Sequence, residues 1–469
     1  MIHKKRLSIT VVSGISIEVL NKIAPLLVIF YAQHRLGVES FGFAMFGISM
    51  VELLLPAMLF GYNHFGSIQI ARLDHNKKKI GQLKSDIVCL RLVHSIILIM
   101  ALFGFTTFVD SYRPYRLLMM ILSFAFIFSS FEMLWVHIAV QKLARINIFI
   151  GLGRILSLSL VLILVKNPED AILFAGLTLG SNAVINLLSF FDSHLMHPME
   201  RPSWQRIKNI FRKSIKFACV LGLATFMDRI DVVLVERFSG ITGAGIYTGP
   251  ARIAHSLFQI GNAIIMAFFS EMVVLKGKSY LQEHLKLGIW ALSSLMGPFI
   301  FGVWFVESDL LSFLFGKEFS EVSNLLGFMV LNTFFGLGLA AFGLQILMVK
   351  QRIDDFIFAL LLGCLISAIF GVFLVKIFGL SGVAFGMCLG KASALTMTIY
   401  KAKKILGKLP GRACLYGLSP AFLMTLCLIL LRPQGLVPTL LLGLTSFASF
   451  FILLNRKWFR KLYLKMKQN

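Results

Sequence analysis

Ionisable side chains stand far from either end of several apolar runs in this 469-residue sequence, and they are the residues with chemistry to perform. A charge at the centre of a helix in hydrocarbon costs about 2.5–3.5 kcal/mol on insertion scales, so it turns to a cavity or to a partner. In the first run Glu18, Lys22 and Pro25 fall at i, i+4 and i+7, one stripe of a helix. Two readings stand for that dyad: a gate facing a bound molecule, or a Glu–Lys pair that offsets its own burial. Asp228, Arg229 and Asp231 crowd into one turn of another run. The two aspartates share a face while Arg229 projects about 100° away, free to lock onto a neighbouring helix. Arg252, His255, Gln259 and Asn262 follow at successive turns, either lining a cavity or bonding helix to helix. Arg154 and Lys391 are single cations with no evident partner in their own runs, which suits an anionic ligand. Glu52 and the Glu132–His137 segment fit three roles: countercharges for Lys22, countercharges for Arg154, or proton-linked groups.

Those side chains need elements of membrane length to hold them. Hydrophobic residues make up 57% of the chain and charged ones 14%, against about 25% charged in ordinary globular domains. Apolar runs bounded by charge, Gly or Pro fall at roughly 8–31, 41–64, 86–109, 115–140, 148–166 and 170–191. After a polar stretch they resume at roughly 214–237, 246–274, 285–306, 322–348, 355–376 and 380–400, with a last pair near 413–431 and 435–454. The expected fold is therefore an all-α polytopic membrane protein of about 14 transmembrane helices, with twelve as the alternative. Pro56, Pro250, Pro298 and Pro420 read as kinks within their runs. The expected organisation is a lobe of six helices over 1–192, a linker over 193–213, a second lobe over 214–400, and a final pair with a basic tail over 401–469.

The formal charge of +24 reads as membrane topology rather than nucleic-acid binding, because the cations gather at the ends of apolar runs. Alternate loops hold about 32 Lys and Arg on one side and about eight on the other. The positive-inside bias then puts both termini in the cytoplasm, which requires an even number of spans. Six cysteines each stand alone in an apolar run and read as small core residues; neither a metal site nor a cofactor is expected. The N-terminal Met-Ile-His-Lys-Lys-Arg precedes a run carrying Glu18 and Lys22 with no small-residue cleavage site, so it reads as a retained helix rather than a signal peptide. No loop is long enough for a catalytic domain. Asp354–Asp355, the only adjacent aspartate pair, reads as a solvated helix cap.

The two six-helix groups also look like distant copies. Asn21-Lys22-Ile23 precedes Gly37-Val-Glu-Ser-Phe-Gly42, and Asp228-Arg229-Ile230 precedes Gly240-Ile-Thr-Gly-Ala-Gly245. A polar-cationic pair followed by Gly-x4-Gly at the exit loop recurs, as a parallel repeat of six spans allows.

From Phe226-Met-Asp-Arg-Ile-Asp through Gly243-Ala-Gly-Ile-Tyr247-Thr-Gly-Pro-Ala-Arg252 the sequence resembles the seventh and eighth helices of the polysaccharide (O-antigen type) flippases. These share a superfamily with the multidrug and toxin extruders and the lipid II flippase. Similar texture recurs at Arg35-Leu-Gly37 to Phe41-Gly42 and at Phe378-Gly-Leu-Ser-Gly-Val-Ala-Phe-Gly386. The resemblance implies two six-helix lobes around a central cavity, and a flippase that carries an undecaprenyl-diphosphate-linked oligosaccharide across the bacterial inner membrane by alternating access. It further implies that cavity cations receive the diphosphate or acidic sugars, with Lys22, Arg154, Arg252 and Lys391 in the matching positions. Glu18, Glu52, Asp228, Arg229, Asp231 and His255 are then candidates for coupling or gating. Expected partners are the lipid-linked oligosaccharide, membrane lipids, and a polysaccharide polymerase with its chain-length machinery. The alternatives are a cation-coupled multidrug antiporter of the same fold, using Glu18, Glu52, Asp228 or Asp231, and a membrane polymerase or glycosyltransferase.

Overall fold

A computed structural model of the chain describes residues 24–70, 73, 76–142, 144–265, 281–319, 324–431 and 433–455. Glu18 and Lys22 lie outside the described residues. Among those described, secondary structure is helical throughout, and ten helices are long and apolar enough to cross a membrane. The chain is a polytopic helical membrane protein. Its helices are α1 (Ile2–Leu59), α2 (Tyr62–Ile70), α3 (Lys77–Phe108), α4 (Arg116–Ser130), α5 (Leu134–Ala139), α6 (Leu143–Leu164) and α7 (Ala171–Met196). There follow α8 (Trp204–Val274), α9 (Lys278–Phe315), α10 (Leu325–Phe342), α11 (Ile353–Leu406), α12 (Gly411–Leu431) and α13 (Leu436–Gln468).

Three of these are broken by a glycine. Gly37 in α1 takes φ 73° and ψ 169°, Gly240 in α8 takes φ 69° and ψ −171°, and Gly379 in α11 takes φ 57° and ψ −135°. A side chain clashes with its own backbone at such angles, so each glycine turns one helical arm into the next. Gly37 and Gly240 are the first members of the two Gly-x4-Gly motifs, and the second members meet. A Cβ on Gly42 would overlap the Ile241 carbonyl oxygen and lie 2.7 Å from the Gly245 nitrogen; one on Gly245 would overlap the Val38 carbonyl oxygen. The two matched exit loops are thus held backbone to backbone.

The chain divides into two compact units, Met1–Gly249 and Pro250–Asn469. In the first, α1 packs on α3, α4, α6 and α7. The first arm of α8 belongs to this unit too. One core cluster joins Tyr62, Phe65, Trp135, Ile207 and Ile210, all buried. In the second, α9 packs on α10, α12 and α13, and α10 on α11. Buried Glu307 of α9 accepts the Leu326 and Gly327 amides at 2.8 and 3.2 Å, capping α10, and Trp290 donates to Asn455 at 2.7 Å, tying α13 to α9.

The linker is shorter and firmer than its polar sequence suggests, because helix α8 begins at Trp204 and only the residues between Met196 and Trp204 are non-helical. The first turns of α3 grip it. Gly81 lies against the Pro198 carbonyl, and buried Lys84 donates to the Ser193 and His197 carbonyls at 2.8 and 2.7 Å. Ser85 accepts the Glu200 amide at 3.0 Å; Asp86, fully buried, accepts the Ser203 amide at 2.9 Å and Arg206 Nε at 2.6 Å. These bonds satisfy the His197 carbonyl at the end of α7 and an amide just before α8, groups that a helix end leaves open.

Other expectations need adjusting. The run at 115–140 is interrupted between α4 and α5. Of the cysteines, Cys364 and Cys388 are buried, Cys219 is exposed, and the other three are half-buried. Asp355 is an ion-pair hub and no solvated cap: Lys401, near the far end of the same element, approaches to 2.8 Å and Arg352 to 2.5 Å. The break at Gly379 lets one element return on itself and make that contact.

Candidate functional site

In the first unit the charged residues converge from three elements. The second arm of α1 carries Glu52, α6 carries Arg154, and the first arm of α8 carries Asp228, Arg229 and Asp231. Arg229 Nη2 stands 2.9 Å from Glu52 Oε2, both side chains partly buried. The projection of Arg229 away from the aspartates therefore does lock it to a neighbouring helix, and its partner there is Glu52. Arg154 lies within Coulombic range of the same carboxylate. Its position is set by the close approach of α6 to α7, where a Cβ on Gly153 would overlap Ile185. Arg154 Nη1 then reaches only Ser181 Oγ, at 3.3 Å, and its buried Nε–H has no partner among the described residues. An arginine with one long neutral hydrogen bond and an orphaned N–H keeps most of its capacity to bind an anion.

The aspartates have separate duties. Asp231 accepts the hydroxyl of buried Tyr247 at 2.9 Å, bracing the two arms of α8 across the Gly240 turn, whereas Asp228 is exposed. A turn further on, Glu236 accepts from the hydroxyl of Tyr115 at 2.9 Å. In the second unit His255 and Gln259 bond to each other at 3.1 Å within α8, so this part of the polar stripe is joined along its own helix. Arg252 is half-buried one turn before. Phe258 stacks on His255 at 6.3 Å, and buried Lys391 shares with Phe258 the space beside Gly336, whose added Cβ would meet both at 3.4 Å.

Two sequence assignments change partner. Glu132 is the countercharge of fully buried Arg91, at 3.6 Å, with Asn63 Nδ2 donating to it at 2.8 Å. His137 bonds Asp192 at 2.8 Å, and Arg145 pairs with the same carboxylate. Neither belongs to Arg154. Arg91 escaped the reading of the sequence although it stands in an apolar run as Lys22 does; its signal was there. Asp86, Lys84 and Asp192 lie near run ends, where a charge looks solvated. Among the described residues no group of three or more His, Cys, Asp or Glu is placed to hold a metal ion.

The fold and the buried charges define a class: a many-helix membrane protein with ionisable side chains inside its helices. The chain superposes on a lipid II flippase, MurJ, in an inward closed conformation with a TM-score of 0.74, at 11% identity over 96% of this chain and 100% of that one. An inward-facing multidrug resistance MATE family transporter of the MOP superfamily matches with a TM-score of 0.62, at 15% identity over 82% of this chain and 94% of the other. The MATE multidrug transporter DinF-BH in complex with R6G gives 0.56, at 16% identity over 86% and 96%. At these identities the likeness is one of fold. Among curated proteins none matches in sequence. Residues 10–273 match the family described as polysaccharide biosynthesis protein, and the chain belongs to that family.

Proposed function

We propose that the protein is a flippase that moves an undecaprenyl-diphosphate-linked oligosaccharide, an O-antigen or similar surface-polysaccharide unit, across the bacterial inner membrane by alternating access. Its family membership and the transporter fold support the class. The observation that carries the reading is Arg154, half-buried in a membrane helix with an N–H unsatisfied and Arg229 held near by Glu52. A diphosphate offers the oxygens that such an arginine lacks, and a water-poor site strengthens the attraction several-fold over bulk water. Lys22, Arg252 and Lys391 are assigned to the same task. Glu18, Glu52, Asp228, Arg229, Asp231 and His255 are assigned to gating or coupling. A polymerase and its chain-length machinery take the product on the far side.

The test is gene deletion followed by leaflet assignment of the precursor. Surface polysaccharide is expected to disappear while lipid-linked repeat units accumulate on the cytoplasmic leaflet. Precursor that reaches the outer leaflet but stays unpolymerised would instead select the polymerase. Glu52, a carboxylate on a membrane helix, supports a second reading, the cation-coupled multidrug antiporter; purified protein that exports dyes and leaves lipid-linked sugar in place would establish it.

A further inference from the structure

The start of α8 is gripped on one side and bare on the other. Ile207, Ile210 and Ser214 are buried, and Phe211 stacks on Phe60 at 4.8 Å, so this stripe is fixed to the first unit. The opposite stripe, Gln205, Lys208, Asn209, Arg212 and Lys213, runs at i, i+3, i+4, i+7 and i+8 and lines an open groove of about 650 Å³. All five side chains are exposed, and Lys208, Arg212 and Lys213 have no hydrogen bond or ion pair among the described residues. No acidic residue occurs between Arg201 and Met227 to neutralise them. Trp204, which directly precedes the first residue of this stripe, is 78% exposed.

A merely solvated charged face would account for the cations but not for the large exposed ring of Trp204 at the head of the same helix. Trp at a helix end beside Lys and Arg is the composition of a membrane-interface anchor. Cations placed there draw anionic lipid, and an Arg fork grips two phosphate oxygens at once. We propose that this groove binds the head group of an anionic phospholipid, its phosphate against Lys208, Arg212 and Lys213, with Trp204 at the acyl boundary. Because α3 holds the linker rigidly, the bound lipid would anchor the junction of α7 and α8 to one leaflet. The proposal stands whatever the cargo is.

Native mass spectrometry of the purified full-length protein tests it, with phosphatidylglycerol and phosphatidylcholine of identical chains added in turn. Wild type is expected to retain phosphatidylglycerol at least about tenfold better. The variant Lys208→Gln/Arg212→Gln/Lys213→Gln should lose that preference. The variant Lys77→Gln/Lys78→Gln/Lys79→Gln removes the same charge from another exposed site and should keep it. Should the first triple variant fail to fold, Lys208→Gln and Arg212→Lys made singly should each lower the preference. Equal retention of the two lipids by wild type overturns the proposal, and so does equal loss in both triple variants, which would mean diffuse charge. Displacement of phosphatidylglycerol by stoichiometric farnesyl diphosphate would also overturn it, assigning the groove to a prenyl diphosphate.

Discussion

Arg154 carries the sharpest test of the proposed cargo path. Its guanidinium has one long bond to Ser181 and an orphaned Nε–H, whereas Arg145 on the same helix is exposed and already paired with Asp192. Arg154→Ala is expected to abolish most complementation of a deletion strain, Arg154→Lys to retain part because a single ammonium lacks the fork, and Arg145→Ala to remain near wild type. Membrane expression measured by immunoblot separates loss of transfer from loss of protein. A full rescue by Arg154→Ala would move the anion path elsewhere. A second residue-scale expectation concerns His197, buried beside the grip of α3 on the linker. Burial, with Lys84 and Lys142 near by, pushes its imidazole below the ordinary value of 6.5. The unfolded chain therefore binds this proton more readily, so stability is lost as pH falls through about 6.5. Thermal unfolding in detergent should show a larger drop from pH 7.5 to 5.5 in wild type than in His197→Gln; equal drops would deny His197 this role.

At the scale of elements the glycine breaks decide the architecture. Gly37 sits where only glycine is at ease, so Gly37→Ala should cost about 1–3 kcal/mol, read as a lowered unfolding midpoint. Gly42→Val and Gly245→Val should each force the two exit loops apart, because there a Cβ meets backbone and not a movable side chain. Single-molecule distances between labels on the loops would detect the separation, and unchanged distances with normal expression would show the contact to be dispensable. Glu307→Ala leaves two amides of α10 unpaired and should cost about 2 kcal/mol. The breaks at Gly37 and Gly240 were legible because Gly-x4-Gly recurs after a polar-cationic pair. The cap by Glu307 and the grip of α3 were not. Both depend on which helix lies beside which, and hydropathy along one chain carries no such information. Arg229 illustrates the division: its angular separation from Asp228 and Asp231 showed that it would leave their face, but Glu52, far away in sequence, could be found only from the packing.

The whole molecule is organised by its charge asymmetry. Cations concentrate in alternate loops, and translocating a short Lys/Arg-rich loop against the membrane potential and anionic lipid is unfavourable, so the rich set is expected in the cytoplasm. The structure contributes an independent element to this argument. The start of α8 presents Lys208, Arg212 and Lys213 bare on its outer stripe while its apolar stripe is spent on the core, as suits a surface facing an anionic leaflet. The turn holding Lys317 and Glu318, between α9 and α10, has no such cluster. Reporter fusions should therefore read cytoplasmic at Lys408 and at Asn469 and periplasmic at Glu318, with a fusion at Arg212 reading cytoplasmic as well. Even spacing of the spans makes these results interdependent, since one helix gained or lost before α9 would invert Glu318 and every later site together. A periplasmic signal at Asn469 with a cytoplasmic one at Lys408 would place the error in α12 and α13 alone. Inversion at Arg212 together with both of these sites would return the count of spans, and the leaflet assigned to the basic groove, to the first unit.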